Sequence, residues 1–402
     1  MTNQRTVVVG VDTHADTHHA AVLDAGTGEM LADRQFRADQ AGYAALAEFV
    51  LAHGEPVRFG VEGTNSYGAG LARHLHRNGF EVAEIVRPNR AARRLRGKSD
   101  PLDAVAAARE ALAHDDLPAP KLANGPVESI RVQHLVRDSA VQARANVLRQ
   151  NKAVLVTAPA TQREKLARHT GKALLETPRR VRPGEVLAGT EAATMIALRH
   201  LARRHHGLTE EIDEATDQLR ALVQATSPAL FAAKGIGIVT AAQLLVTAGD
   251  NPERIKNEAA FAALCGTSPL PASSGKTTRH RLNRGEDRQA NAALHRIALT
   301  RMNSEPRIRA YIQKRTSEGK GTKEAIRCLK RAIAREVYRL LTNPPTTPGT
   351  EDLRPARLKR AITLQTVANH FGVQPARISE IERGKLHDTA LTTAYRQWLN
   401  AA

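Results

Sequence analysis

Residues 7–24, VVVGVDTHADTHHAAVLD, open on an apolar run that a carboxylate cuts short. Val7, Val8, Val9 and Val11 are what a strand buried on both faces requires, and Asp12 ends the run abruptly. The stretch predicts two strands joined by a short turn. MLADRQFRA alternates loosely as a third strand, and AGYAALAEFVLAHG spaces its apolar residues as a helix does. Val57, Phe59 and Val61 then alternate into Glu62, a second strand ending in a carboxylate, before a Gly-Thr-Asn turn and a helical segment through LARHLHRNG. FEVAEIV predicts a further strand. Ser99 and Asp100 are helix-capping residue types and Pro101 suits a first turn. Asp103 follows Asp100 by three residues, which puts both carboxylates on one side of the helix start. The order strand-strand-strand-helix-strand-helix-strand-helix predicts an α/β domain over residues 1–125, a mixed sheet with helices on its faces.

Beyond it the period is helical. Residues 126–157 hold no glycine, and no proline after Pro126, and a second helical pattern, with Gly207 inside it, spans 191–226. There Leu198, Leu201, Leu208, Ile212, Leu219 and Leu222 form a heptad seam, so residues 126–226 read as a helical hairpin, either buried or an oligomerising coiled coil. HTGKALLETPRRVRPGE between the two helices predicts a loop. Residues 227–345 form a third, mainly helical domain, with the Gly-apolar-Gly turn of a helix-hairpin-helix in KGIGIVTAAQLLVTAG and a Pro-flanked PASSGK loop. TNPPTTPGTEDLRP has linker composition. In the tail, 346–402, two short helices meet around Gly372 and Val373, with Val367, Phe371, Val373, Ile378 and Ile381 inward. It resembles the helix-turn-helix of phage-repressor-type DNA-binding domains, its second helix starting near Gln374.

Charge adds a partner. The formal net charge of +18 calls for a polyanion, and residues 271–340 hold 18 Lys or Arg against 6 Asp or Glu, about two thirds of it. A second basic strip runs from Arg87 to Lys98 with six cations and no acid. Aromatic residues make up 3%, so phosphate contacts rather than base stacking are expected to carry affinity. Arg87, Arg93, Arg94, Arg96 and Lys98 in the first strip are assigned to phosphates, as are Lys276, Arg279, Arg281, Arg284 and Arg288 in the second. Cys265 and Cys328 match no zinc spacing or disulfide framework, and no apolar run is long enough to span a membrane, so a soluble cytoplasmic protein is expected.

Asp12, Glu62, Asp100 and Asp103 are each ordinary alone, since a lone Asp caps turns and DxxD caps helices. In this order they match the RNase H-like nuclease fold, where three or four carboxylates hold hard divalent cations that activate a nucleophile and stabilise a leaving oxygen. GVDTHADTH, GVEGTNSYGAGLARHL, RGKSDPLDAVAAAR, TAAQLLVTAGDNPERIKNEAAFAALCG, PASSGKTTRHRLNRGEDRQANAALHR and IRCLKRAIAREVY together resemble the DEDD transposases of the insertion-sequence one-ten group, related to the Piv and MooV invertases. The resemblance covers roughly residues 5–342.

It implies a RuvC-like N-terminal domain with Asp12, Glu62, Asp100 and Asp103 as a tetrad binding Mg2+ (or Mn2+), and a later domain supplying a nucleophilic serine. The motif's serine precedes a glycine, which selects Ser274, with Ser273 as the alternative register. The resemblance further implies donor and target DNA as substrates, a structured non-coding bridge RNA as guide, a bacterial, nucleoid-associated setting, and a homo-oligomer, dimer or tetramer. Two other readings of the residues stay open: a metal-dependent nuclease resolving junctions with water, and a DNA-binding regulator built around the tail.

Overall fold

The valine run forms the central strand of a five-stranded sheet. The computed structural model describes residues 5–85, 99–169, 171–180, 182, 189–271, 280–281, 287–344, 349–384, 386 and 388–401. Strands β1 (Thr6–Thr13), β2 (Thr17–Asp24), β3 (Met30–Arg37), β4 (Glu55–Glu62) and β5 (Val82–Ile85) lie in the order β3-β2-β1-β4-β5. β1, β2 and β3 are antiparallel neighbours, whereas β4 runs parallel to β1 and β5 parallel to β4. Helices α1 (Gln40–Leu51), α2 (Ala69–Arg77) and α3 (Asp100–Ala113) complete the element order expected from the sequence.

Strand alternation divides β1 between two cores. Val7, Val9 and Val11 join Phe59 and Val61 of β4 against Leu46 and Val50 of α1 and Leu71 and Leu75 of α2. Val8 packs on the opposite face with Ala107 and Ala111 of α3. Gly10 shares that face and lets the helix backbone come down onto the strand: a Cβ there would lie 2.0 Å from the Ala104 carbonyl oxygen and 2.1 Å from the Ala108 nitrogen. The next residue on this face of β1 is Asp12.

The chain divides into two compact units: residues 1–128 with 245–292 and 315–343, and residues 129–244 with 293–314 and 344–402. Residues 227–345, expected as one domain, thus contribute to both. In the first unit, Arg254 donates to the Ala119 and Ala248 carbonyls and Asn251 Nδ2 to Pro120 O, which fastens the later segment to the chain leaving the sheet domain. Helix Thr322–Thr342 buries Ala325, Leu329, Lys330, Ile333, Ala334 and Val337 and turns Lys323, Arg327, Arg335 and Arg339 outward, the amphipathic basic helix its sequence predicts.

The second unit is helical. Helix α4 (Pro126–Val156) and the helix Thr190–Thr226 run antiparallel, with Arg137 donating to Thr216 Oγ1 and Arg144, seven residues on, to Thr209 Oγ1, seven residues back. The buried stripe of the second helix is Leu198, Ala202, Ile212, Ala215, Leu219 and Val223, while Leu201, Leu208 and Leu222 are only half-buried. The expected leucine seam is corrected accordingly: small residues come inside where helices approach closely, and larger leucines straddle the border. The expected loop is also partly helical, Gly171–Arg180, because Leu175 finds a buried position and Glu176 pairs with Arg179 and Arg180 on the next turn. The expected linker is shorter at its end, where helix Leu353–Lys359 already begins. No described helix is long and apolar enough to cross a membrane.

Candidate metal centre

The two parallel strands β1 and β4 end at the same edge, and their register pairs Gly10 with Gly60 and Val11 with Val61. Asp12 and Glu62 are the next residues of the two strands. Both alternate onto the α3 face, since Val11 and Val61 belong to the opposite core. α3 runs back across this face, Ala111 over Val8 and Ala104 over Gly10, so its first turn, with Asp100 and Asp103, stands over the strand ends. Ser99 occupies the N-cap position with extended backbone, although its side chain makes no capping bond; its carbonyl accepts from the Asp103 amide at 3.0 Å.

Asp12 is 6% exposed and Asp103 3%, whereas the side chains of His14 and Asp100 are close to half exposed. His14 Nε2 lies 3.0 Å from Asp12 Oδ2 and 3.3 Å from Asp100 Oδ1, and one ligand atom from each of the three falls within 4.8 Å of the others. Burial pushes the Asp12 carboxyl above its ordinary range; His14 opposes that shift, and the negative charges of Asp103 and Asp100 add to it. A buried carboxylate crowded by two more is the electrostatic setting that a divalent cation relieves. Thr13 Oγ1 donates to the Glu62 carbonyl at 3.0 Å and ties the two strand ends together.

His14 was not among the candidates drawn from the sequence. Its signal there was its place two residues beyond Asp12, hidden in the polar THADTHH stretch whose histidines otherwise look alike. A cationic ridge was also left unresolved by residue: Lys323, Arg327, Arg331, Arg335 and Arg339 recur every four positions along helix Thr322–Thr342, with Arg331 and Arg335 paired to Glu258.

Ser273, Ser274, Lys276 and Arg279 lie outside the described residues, as do Arg284 and the strip holding Arg87, Arg93, Arg94, Arg96 and Lys98. Strands Leu270–Pro271 and His280–Arg281, which bracket the two serines in sequence, pair antiparallel and put Arg281 opposite Leu270. Arg288 is exposed at the start of helix Arg288–Ser304. Asn291 Nδ2 donates to the Cys265 and Gly266 carbonyls, each at 2.9 Å. The buried Lys330 donates to Asn291 Oδ1, and burial holds its ammonium below the usual lysine range.

A carboxylate-imidazole cluster at the carboxyl edge of a mixed sheet, in a chain that continues into a mainly helical region, defines a two-part α/β protein with a candidate divalent-cation site. A DEDD-type family model described as "Transposase" matches residues 9–158, and one described as "Transposase IS116/IS110/IS902 family" matches residues 227–313. The chain belongs to this IS110 family of DEDD transposases. It is also similar to the "Insertion element IS110 uncharacterized 43.6 kDa protein" of Streptomyces coelicolor, 33% identical over 127 residues. That match spans 31% of this chain and 31%, less than a third, of the relative's own length.

Proposed function

We propose that this protein is an insertion-sequence transposase working as a DNA recombinase, which cuts and rejoins strands through Ser274 and a divalent cation, Mg2+ or Mn2+, held by Asp12, Glu62, Asp100 and Asp103. The observation that carries this reading is the grouping of Asp12 of β1 with Asp100 and Asp103 from the first turn of α3, at the sheet edge where β4 also ends in a carboxylate. The strand order β3-β2-β1-β4-β5 supports an RNase H-like, RuvC-like domain beneath them. Oxygen ligands suit Mg2+, and the imidazole of His14 beside Asp12 and Asp100 is a further ligand that Mn2+ accepts readily.

When bound, the cation supplies Lewis-acid stabilisation of charge building on a phosphodiester. The chain's own residues do the rest. Asp12 is rigid because it ends a strand buried on both faces, and Asp103 because the helix start is packed down over Gly10. Ser274 Oγ attacks phosphorus, the new bond makes a 5′-phosphoserine, the bond to O3′ breaks, and the serine proton ends on the freed 3′-oxygen. In rejoining, a 3′-hydroxyl from the exchanged strand attacks the phosphoserine and restores the serine hydroxyl. Basic residues, including the ridge Lys323 to Arg339, hold phosphates without reading sequence. A structured non-coding RNA pairing with donor and target DNA supplies that reading.

Incubating the protein with donor duplex and cation, then mapping denatured protein-DNA adducts by mass spectrometry, tests the proposal. The expected adduct sits on Ser274, disappears in Ser274→Ala and survives in Ser273→Ala. An adduct with the opposite dependence moves the nucleophile to Ser273. Hydrolytic nicking with no adduct in any variant replaces recombination by a metal-dependent nuclease that uses water.

A further inference from the structure

The C-terminal module lies beyond both family matches, which end at residue 313, and it has a core of its own. Leu353, Val367, Ala368, Ile378, Ile381, Tyr395 and Leu399 are buried together, with Phe371, Val373 and Trp398 packed around them. Helix Leu364–Phe371 is capped by Thr363, whose side chain accepts from the Thr366 amide, and it ends at Gly372 in the left-handed conformation, φ 64°. Three residues later Pro375 starts the helix Pro375–Glu382. The second helix is locked in place by a buried bidentate pair: Arg357 Nε and Nη2 donate to the two Glu382 carboxylate oxygens at 2.6 and 2.9 Å. Tyr395 OH donates to Glu382 Oε1 at 2.7 Å, and Arg357 Nη1 reaches the Ile362 carbonyl. Such a pair contributes less to stability than to fixing one geometry.

What this frame holds outward is polar. The second helix and its flanks expose Gln374, Ala376, Arg377, Glu380 and Arg383, and the first helix exposes Gln365, Thr366 and Asn369; among the described residues the only large apolar side chains beside them, Val373 and Leu386, are half-buried. A protein-binding helix would present aromatic or aliphatic anchors there. Amide and guanidinium groups on a short, rigidly aimed helix instead match the acceptors and donors of base edges in a major groove: Gln pairs with adenine and Arg with guanine. The half-exposed Arg377 is poised at the surface by Asp388, whose carboxylate accepts from Nη2 at 2.7 Å, a contact weak enough to exchange. Lys359 and Arg360, exposed at the end of the preceding helix, add cations for the flanking phosphates.

We propose that residues 349–401 form a duplex-DNA reading module, in which Gln374 and Arg377 contact base edges in the major groove. This gives the chain a second, protein-encoded sequence preference in addition to any carried by a guide RNA. The proposal does not depend on catalysis. It is tested on the full-length protein, stripped of co-purifying nucleic acid, by repeated selection from a duplex pool whose central stretch is randomised over about one and a half helical turns. The selection is run near physiological salt, and the survivors are sequenced.

The expected result is a short enriched motif. Gln374→Ala and Arg377→Ala each relax a different position of it and weaken binding to the selected duplex on the order of tenfold. Arg383→Lys, which keeps the charge beyond the helix end, leaves the motif intact. Thermal melting confirms that the exposed substitutions leave the module folded. No enriched motif overturns the proposal, as does a motif that both alanine variants retain. Enrichment of a tail-dependent motif from single-stranded RNA rather than duplex DNA also overturns it.

Discussion

Gly10 determines how closely the helix that carries Asp100 and Asp103 can approach the strand that carries Asp12. A methyl group there meets helix backbone on both sides, which no side-chain rotation relieves. Gly10→Ala is therefore expected to cost about 1–3 kcal/mol or more and to weaken divalent-cation binding, because α3 must lift from the strand ends. Urea unfolding and calorimetric titration with Mn2+ measure the two effects, and unchanged affinity in a destabilised variant would show that the carboxylates bind independently. His14 makes a second residue-scale prediction. As a ligand beside Asp12 and Asp100, it should lose on the order of tenfold or more in Mn2+ affinity on replacement by Ala, with a smaller loss for Mg2+, which favours oxygen. Equal losses for the two ions would mean that His14 only positions Asp12.

At the scale of elements, the helical unit carries a pH dependence of its own. Burial holds the His134 imidazole of α4 below the usual range, with Asp138 opposing and Arg137 reinforcing the shift. The folded state thus keeps His134 neutral where the unfolded chain takes up a proton. Its contribution is complete above the unfolded pKa of about 6.5 and falls away as pH drops from there toward the lower folded value. His134→Gln should narrow the gap in melting temperature between pH 7.5 and 5.5 relative to the unsubstituted protein. An unchanged gap would assign that sensitivity to other histidines.

The order of elements in the sheet domain was readable from the chain because each strand and helix there shows its own period, and the two helices of the tail were readable from Val367, Ile378 and Ile381. His14 was not readable: local spacing gives no sign that a residue in a turn will face a helix start 86 positions later. The buried stripe of Thr190–Thr226 was obscured for a different reason, since Ala202 and Ala215 carry little hydrophobic signal yet fit where bulkier leucines do not.

The whole molecule carries a net charge of +18 and belongs to a transposase family, and the first compact unit holds both the carboxylate cluster and the strands that flank the serine segment. Recombination exchanges several strands, so the working form is expected to be a dimer or tetramer, with the antiparallel helices of the second unit as the candidate interface. Guidance by RNA predicts that protein purified at low salt brings down one defined transcript encoded beside its gene, released as salt rises. Sequencing the bound nucleic acid checks this, and a mixture without a dominant species would contradict it. The central claim is that the cluster around Asp12 and the nucleophile Ser274 serve one reaction. Its most direct measurement is the yield of covalent protein-DNA adduct from Asp12→Asn, compared with the unsubstituted protein at equal folding and equal DNA binding. The account predicts that the adduct disappears; an adduct formed at undiminished yield would show that the two do not share a site.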